Sequence, residues 1–128
     1  SEIRLFWMVT KQLPHGFRVM AQVSYGEILR CKSRRKFFTI NAKRADLVIC
    51  DRDFNVVAVI EYQGGGHYGS TAKARKDAIS RDRQKRRALS EAGVPLVEIP
   101  AQFGVDLVSD ALGPVLADHR QPSDRKIA

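Results

Sequence analysis

The chain has 128 residues, 44% of them hydrophobic, with a net charge of +8 and an isoelectric point near 9.9. That is one domain's length with enough apolar content for a core, and no apolar run approaches the roughly 20 residues of a membrane span. The N-terminal SEIRLFWMVTKQL lacks the basic start and the cleavage site of a secretory signal, and it lacks a start Met, which suits a piece cut from a longer protein. Of the two cysteines, Cys31 and Cys50, neither has CxxC spacing and the second lies in an apolar run. Reduced thiols in a cytoplasmic protein are the better reading than a disulfide.

In chain order, Leu5, Met8, Val9 and Leu13 recur at helical spacing, so a first helix is expected over 2–13, stopped by Pro14-His15-Gly16. FRVMAQV, 17–23, alternates as a strand does. SYGEILR is a short helical turn with Ser24 as its cap. CKSRRKFFTINAKR reads as a basic loop carrying Phe37-Phe38. ADLVICD, 45–51, and VVAVIEY, 56–62, are two strands around the turn residues Arg52–Asn55. A glycine-rich loop, QGGGHYGST, leads to a long helix from about Ala72 to Ala92, ended by Gly93 in the left-handed conformation that glycine adopts freely. LVEIP is a fourth strand, opened by Pro95. VDLVSDALGPVLADH is a last helix, with a break expected at Gly113-Pro114. The expected fold class is α/β: a single mixed β-sheet flanked by helices, in one domain over 1–119, followed by a polar tail over 120–128.

VVAVI reads as a buried strand, yet it ends in Glu61, beside three glycines and His67. If the two central strands form a hairpin with Asp51 opposite Val56, the antiparallel register sets Asp46 opposite Glu61, with Cβ atoms roughly 4.5–5.5 Å apart. Two carboxylates that close repel, and burial raises the cost. A hard divalent cation offsets this, and Mg²⁺ typically takes one or two carboxylates with waters and phosphate oxygens. A protonated carboxyl, or an ion pair to Arg44 or Lys85, offsets it equally well. Gln63 shares the face of Glu61. On the long helix, Ala78, Asp82, Lys85, Leu89 and Ala92 form one stripe, in which two charges interrupt an apolar, sheet-facing row. They either pair with each other at i,i+3 or reach the carboxylates.

The positive charges are clustered. Arg30, Lys32, Arg34, Arg35 and Lys36 form one group; Lys73, Arg75, Lys76, Arg81, Arg83, Lys85, Arg86 and Arg87 form another. Clustering on this scale favours a polyanionic partner, nucleic acid first, over two merely solvated faces. No base-reading pattern stands out, so the contacts expected are to the phosphate backbone.

RADLVIC, then VVAVIEYQGGGHY, then RDRQKRRALSEAGVPLVEI, together resemble the PD-(D/E)XK (restriction-endonuclease-like) nuclease superfamily, near the very-short-patch-repair endonucleases and a bacterial domain-of-unknown-function family with the same core. The resemblance covers about residues 2–100. It implies an α-β-β-β-α-β core, a metal-dependent nuclease acting on DNA rather than RNA, and Mg²⁺ or Mn²⁺ as cofactor. It matches Asp46 to the motif's Asp and Glu61 to its Glu, both as metal ligands. The usual lysine is replaced by Gln63, and Lys85 is the candidate stand-in. Glu2, with Glu27 second to it, matches the acid of the first helix, and Asp82 and His67 match residues recurring in close relatives. Arg34, Arg35, Lys36, Lys73, Arg75, Arg81 and Arg86 are the expected phosphate contacts. Two rival readings stand beside this one: a catalytically impaired nucleic-acid-binding module of the same fold, and a protein-interaction domain docking an acidic partner. No membrane partner is expected.

Overall fold

The computed structural model describes residues 1–29, 44–63 and 71–118. The basic loop with Cys31, Arg34, Arg35 and Lys36, the glycine run with His67 and Tyr68, and the tail from residue 119 lie outside the described residues. The elements are α1 (Glu2–Gln12), β1 (Arg18–Ser24), α2 (Tyr25–Ile28), β2 (Arg44–Cys50), β3 (Val56–Gln63), α3 (Ala72–Ala92), β4 (Leu96–Pro100) and α4 (Val105–Ala117). The strands form one mixed sheet in the order β1-β2-β3-β4, antiparallel except for the parallel pair β3–β4. A parallel neighbour needs a crossover, and α3 supplies it.

The sheet is covered on both sides, which is why β2 and β3 read as continuous apolar runs rather than as alternation. On one face Leu47, Ile49, Ala58, Ile60, Val97 and Ile99 meet Leu5 and Val9 of α1 and Val108 and Leu112 of α4. On the other, Val48, Cys50 and Val59 meet Ala88 and Leu89 of α3, together with Tyr25 and Leu29. The α1 and α4 pairs are each four residues apart, one turn of the same stripe. Cys50 is a buried free thiol. Among the described residues no helix is long and apolar enough to cross a membrane.

Capping chemistry sets the helix ends. The Thr71 hydroxyl accepts from the Ala74 N–H at 3.0 Å, and Gly93 closes α3 at φ 71°. Two expectations are corrected. α4 runs unbroken through Gly113-Pro114. Proline removes a single N–H there, near the helix end, and Val115 and Leu116 beyond it still pack on the core. Ala92 is exposed, so the buried stripe of α3 ends at Leu89.

The turn between β2 and β3 also differs from expectation. Cys50, not Asp51, lies opposite Val56, and the register shifts between Ile49 and Cys50. The Asp51 N–H donates to the Asn55 carbonyl at 2.9 Å, and Phe54 takes the left-handed position at φ 63°. The loop is therefore one residue tighter than expected, and a bulge at Val57 absorbs the difference. Asp51, only 8% exposed, organises this turn. Its Oδ1 accepts from the N–H groups of Asp53 and Asn55, both at 2.9 Å, and its Oδ2 accepts from Asn55 Nδ2 at 3.3 Å. Asp51→Ala leaves those donors without their acceptor. It should cost about 1.5–3 kcal/mol, the range for hydrogen bonds to a charged group, read as a lower urea midpoint at unchanged slope.

Candidate active site

On the site side of the bulge the expected register holds: Leu47 pairs with Ile60 and Val48 with Val59, which sets Asp46 level with Glu61. Beyond Leu47–Ile60 the side chains act as acceptors for strand N–H groups. The Tyr62 N–H donates to Asp46 Oδ2 at 2.8 Å, and the Asp46 N–H donates to Glu61 Oε2 at 3.4 Å. The other oxygen of Glu61 accepts from the Tyr25 hydroxyl at 2.7 Å and from Lys85 Nζ at 3.5 Å. Lys85 also donates to the Arg44 carbonyl at 3.1 Å and lies 5.5 Å from the centroid of the Tyr25 ring. Its side chain and that of Glu61 are 17% and 13% exposed. The long helix thus delivers Lys85 to the carboxylate pair.

Asp82 and Gln63 line the same shallow cleft as Glu61 and Lys85, with Arg86, Leu96 and Glu98 completing the wall. Glu2 stands beside Asp46. Burial first, and then the Asp46 carboxylate, raise the Glu2 carboxyl above its ordinary range, while Gln22 Nε2 donates to it at 3.4 Å. Glu27 is exposed, so Glu2 is the first-helix acid that reaches the site. His67 is outside the described residues. Among those described, no group of three His, Cys, Asp or Glu side chains is gathered tightly enough to hold a metal ion.

The basic residues of α3 divide by angle. At about 100° per residue, Arg75 and Arg86 fall on one shoulder of the Asp82–Lys85 stripe and Arg81 on the other, while Lys73 points to the far side. Arg75 and Arg81 are exposed. Arg86 is already engaged: its Nη2 lies 2.7 Å from Glu98 Oε1.

Two residues here escaped sequence reasoning. Tyr25 falls in the stretch expected as a short helical turn, where no role is assigned to it. Its clue was position: it follows the last residue of β1, and Ser24 pairs with Arg44, two residues before Asp46. Gln22 lies opposite Asp46 between the pairs Ala21–Leu47 and Val23–Ala45, yet has φ 55°, and its carbonyl accepts from Arg44 Nη1 at 3.1 Å. No propensity signals a left-handed glutamine inside a strand.

Sequence comparison supplies a family. The family pattern that matches residues 1–112 is described as "Protein of unknown function (DUF2726)". The chain belongs to the DUF2726 family. It is 42% identical over 107 residues to an "Uncharacterized protein" of Haemophilus influenzae, covering 81% of this chain and 53% of that one. It is 44% identical over 86 residues to "Uncharacterized protein y4bI" of Sinorhizobium fredii, covering 67% and 58%. The chain spans between half and three-fifths of the length of these relatives. No solved structure matches it significantly.

Burial drives the Glu61 carboxyl up from 4.5 to about 7; the Tyr25 hydroxyl and Lys85 pull it down, and Asp46 pushes it further up. An acid raised on folding holds a proton that the unfolded chain releases. Stability should therefore fall as pH rises from 4.5 to about 7 and level off above. Glu61→Gln imitates the protonated acid. In chelator, it should flatten that slope and stabilise the protein at pH 8 by up to about 3 kcal/mol, while changing little at pH 4.5. Denaturant midpoints at the two pH values check this.

Proposed function

We propose that this chain is the nuclease-like domain of a metal-dependent endonuclease of the PD-(D/E)XK, restriction-endonuclease-like class, acting on DNA phosphodiester bonds in the cytoplasm. The observation that carries the reading is the level pairing of Asp46 and Glu61 at one end of the hairpin, with Lys85 brought to Glu61 from α3. The element order and the mixed four-stranded sheet fit the same class.

The donor set suits a hard divalent cation. Asp46 and Glu61 offer only oxygen, and each carboxylate retains acceptor capacity beyond the bonds described. Asp46 and Glu61 would hold Mg²⁺ or Mn²⁺ here, with water and phosphate oxygens available as further ligands of the kind Mg²⁺ commonly takes. When bound, the ion supplies charge that polarises the scissile phosphate and lowers the pKa of a bound water. The chain's own groups orient and hold. Asp46 and Glu61 are pinned by strand N–H groups, so their oxygens are placed before any ligand arrives. Lys85 keeps N–H donors beside Glu61 for a phosphate oxygen or a water, the part the superfamily's lysine plays from the position of Gln63. Arg75 and Arg81, flanking the cleft, suit phosphate contacts that fix the backbone without reading sequence.

A second reading has one observation in its favour. Gln63 lies in the cleft where the superfamily carries lysine, as it would in a module that binds nucleic acid by charge and no longer cuts it. Activity decides between them. With Mg²⁺ or Mn²⁺, slow cleavage of DNA is expected without strong sequence preference. Asp46→Ala and Glu61→Ala should abolish it, and Lys85→Ala should lower the rate far more than binding. No cleavage of single-stranded, duplex or branched DNA, or of RNA, alongside binding that weakens steeply with salt, selects the binding module. Gln63→Lys separates lesion from replacement. With Lys85 already in place, a second ammonium repels both it and the ion, so the rate should fall; a rise would mean that Lys85 does not fill the role.

A further inference from the structure

We propose that Tyr25 is a positioning residue of this site, its hydroxyl orienting the Glu61 carboxylate and its ring face seating the Lys85 ammonium; this rests on reading the cleft as a metal-dependent phosphodiesterase site. Tyr25 has no exposed surface, and among the described residues it is the largest of the side chains buried to that degree. A buried tyrosine hydroxyl needs a partner, and this one is spent on Glu61 Oε1 at 2.7 Å. An apolar filler would serve the core around Leu29, Val48 and Leu89 without that group.

The geometry around Lys85 says what the ring contributes. Its distance to Glu61 Oε1, 3.5 Å, is long for an ammonium–carboxylate hydrogen bond, which normally spans about 2.7–2.9 Å. The ammonium is held instead by the Arg44 carbonyl at 3.1 Å and by the electron-rich face of Tyr25, 5.5 Å to the centroid. Lys85 is thus held beside Glu61 at the long limit of an ion pair, anchored as much by the Arg44 carbonyl and the Tyr25 ring as by the carboxylate. That leaves Glu61 open to a cation and leaves Lys85 donors open to a phosphate oxygen.

The anchor of Tyr25 is the sheet itself. Ser24 pairs with Arg44 across β1–β2, and the Ser24 hydroxyl accepts from the Glu27 N–H at 3.3 Å, starting α2 with Tyr25 as its first residue. One register therefore places the carbonyl that takes Lys85 and the ring that faces it.

The test uses Tyr25→Phe, which removes the hydroxyl and keeps the ring, and Tyr25→Leu, which removes both. Mn²⁺ affinity is read by electron paramagnetic resonance of the free ion, and kcat and KM are read on DNA. Tyr25→Phe should weaken Mn²⁺ binding about ten-fold and lower kcat about ten- to a hundred-fold, the range for groups that orient metal ligands, with KM within about two-fold. Tyr25→Leu should lower kcat further than Tyr25→Phe, and in a Lys85→Ala background it should cost no more than Tyr25→Phe does, because the ring then has no ammonium to seat. If the wild type binds Mn²⁺ and cuts, and Tyr25→Phe does so equally, the positioning role is overturned and the nuclease reading stands. A wild type that neither binds nor cuts overturns both. Should Tyr25→Phe unfold, the Tyr25→Phe/Glu61→Gln pair decides. Recovery of the fold locates the hydroxyl's role on the Glu61 carboxylate; no recovery makes Tyr25 a packing residue and overturns the proposal.

Discussion

Two carboxylates held level at one end of an apolar hairpin are the constraint around which this domain is arranged. The register of β2 on β3 brings Asp46 and Glu61 together, and the sheet's own hydrophobic cover takes much of their water away. Charge in such a place must be answered. Three kinds of group answer it: strand N–H donors, the Tyr25 hydroxyl and the Lys85 ammonium. Each comes from a different element, so α2, the start of β2 and the middle of α3 are all tied to the same few ångströms. The balance is incomplete, because the Glu61 carboxyl still rises to about 7. A proton answers that deficit in the free protein; under the proposed function a divalent cation would take its place.

The bulge at Val57 matters for the same reason. A one-residue slip turns every side chain of a strand to its other face. Asp51 gathers the turn into a loop one residue tighter than a simple count suggests, and without compensation Glu61 would face the opposite side of the sheet. The bulge returns the ladder to the register that pairs Leu47 with Ile60. Turn chemistry and site chemistry are thus linked along a single strand.

The long helix carries two roles on different faces. Ala88 and Leu89 bury against the sheet, Ala78 is buried on the same stripe, and Asp82 and Lys85 line the cleft with Glu61. Its remaining arginines and lysines stay in water or pair locally, as Arg87 does with Glu91. Arg75 and Arg81 stand exposed on the shoulders of the Asp82–Lys85 stripe, where, under the proposed function, they would meet a polyanion lying across the cleft.

Much was legible in the sequence because it depends on local rules. The β-strand runs, the bounds of α3, the Gly93 cap, and the inward stripe carrying Asp82 and Lys85 all follow from periodicity and backbone preference. The pairing of Asp46 with Glu61 also agrees with expectation, but only because the bulge at Val57 cancels the shift at the turn, which composition near a turn does not reveal. Other features are decided by contacts between residues distant in sequence. Whether Lys85 answers Asp82 or Glu61 depends on how α3 lies on the sheet. Tyr25 joins the site because β1 pairs with β2, thirty-six residues before Glu61. Gln22 adopts a left-handed backbone against its own preference because neighbours on both sides are locked into the ladder. Pro114 remains in a helix because the apolar face around it packs on the core. Local preference writes the elements, but the electrostatic environment of a buried charge is the sum of groups that only folding brings together.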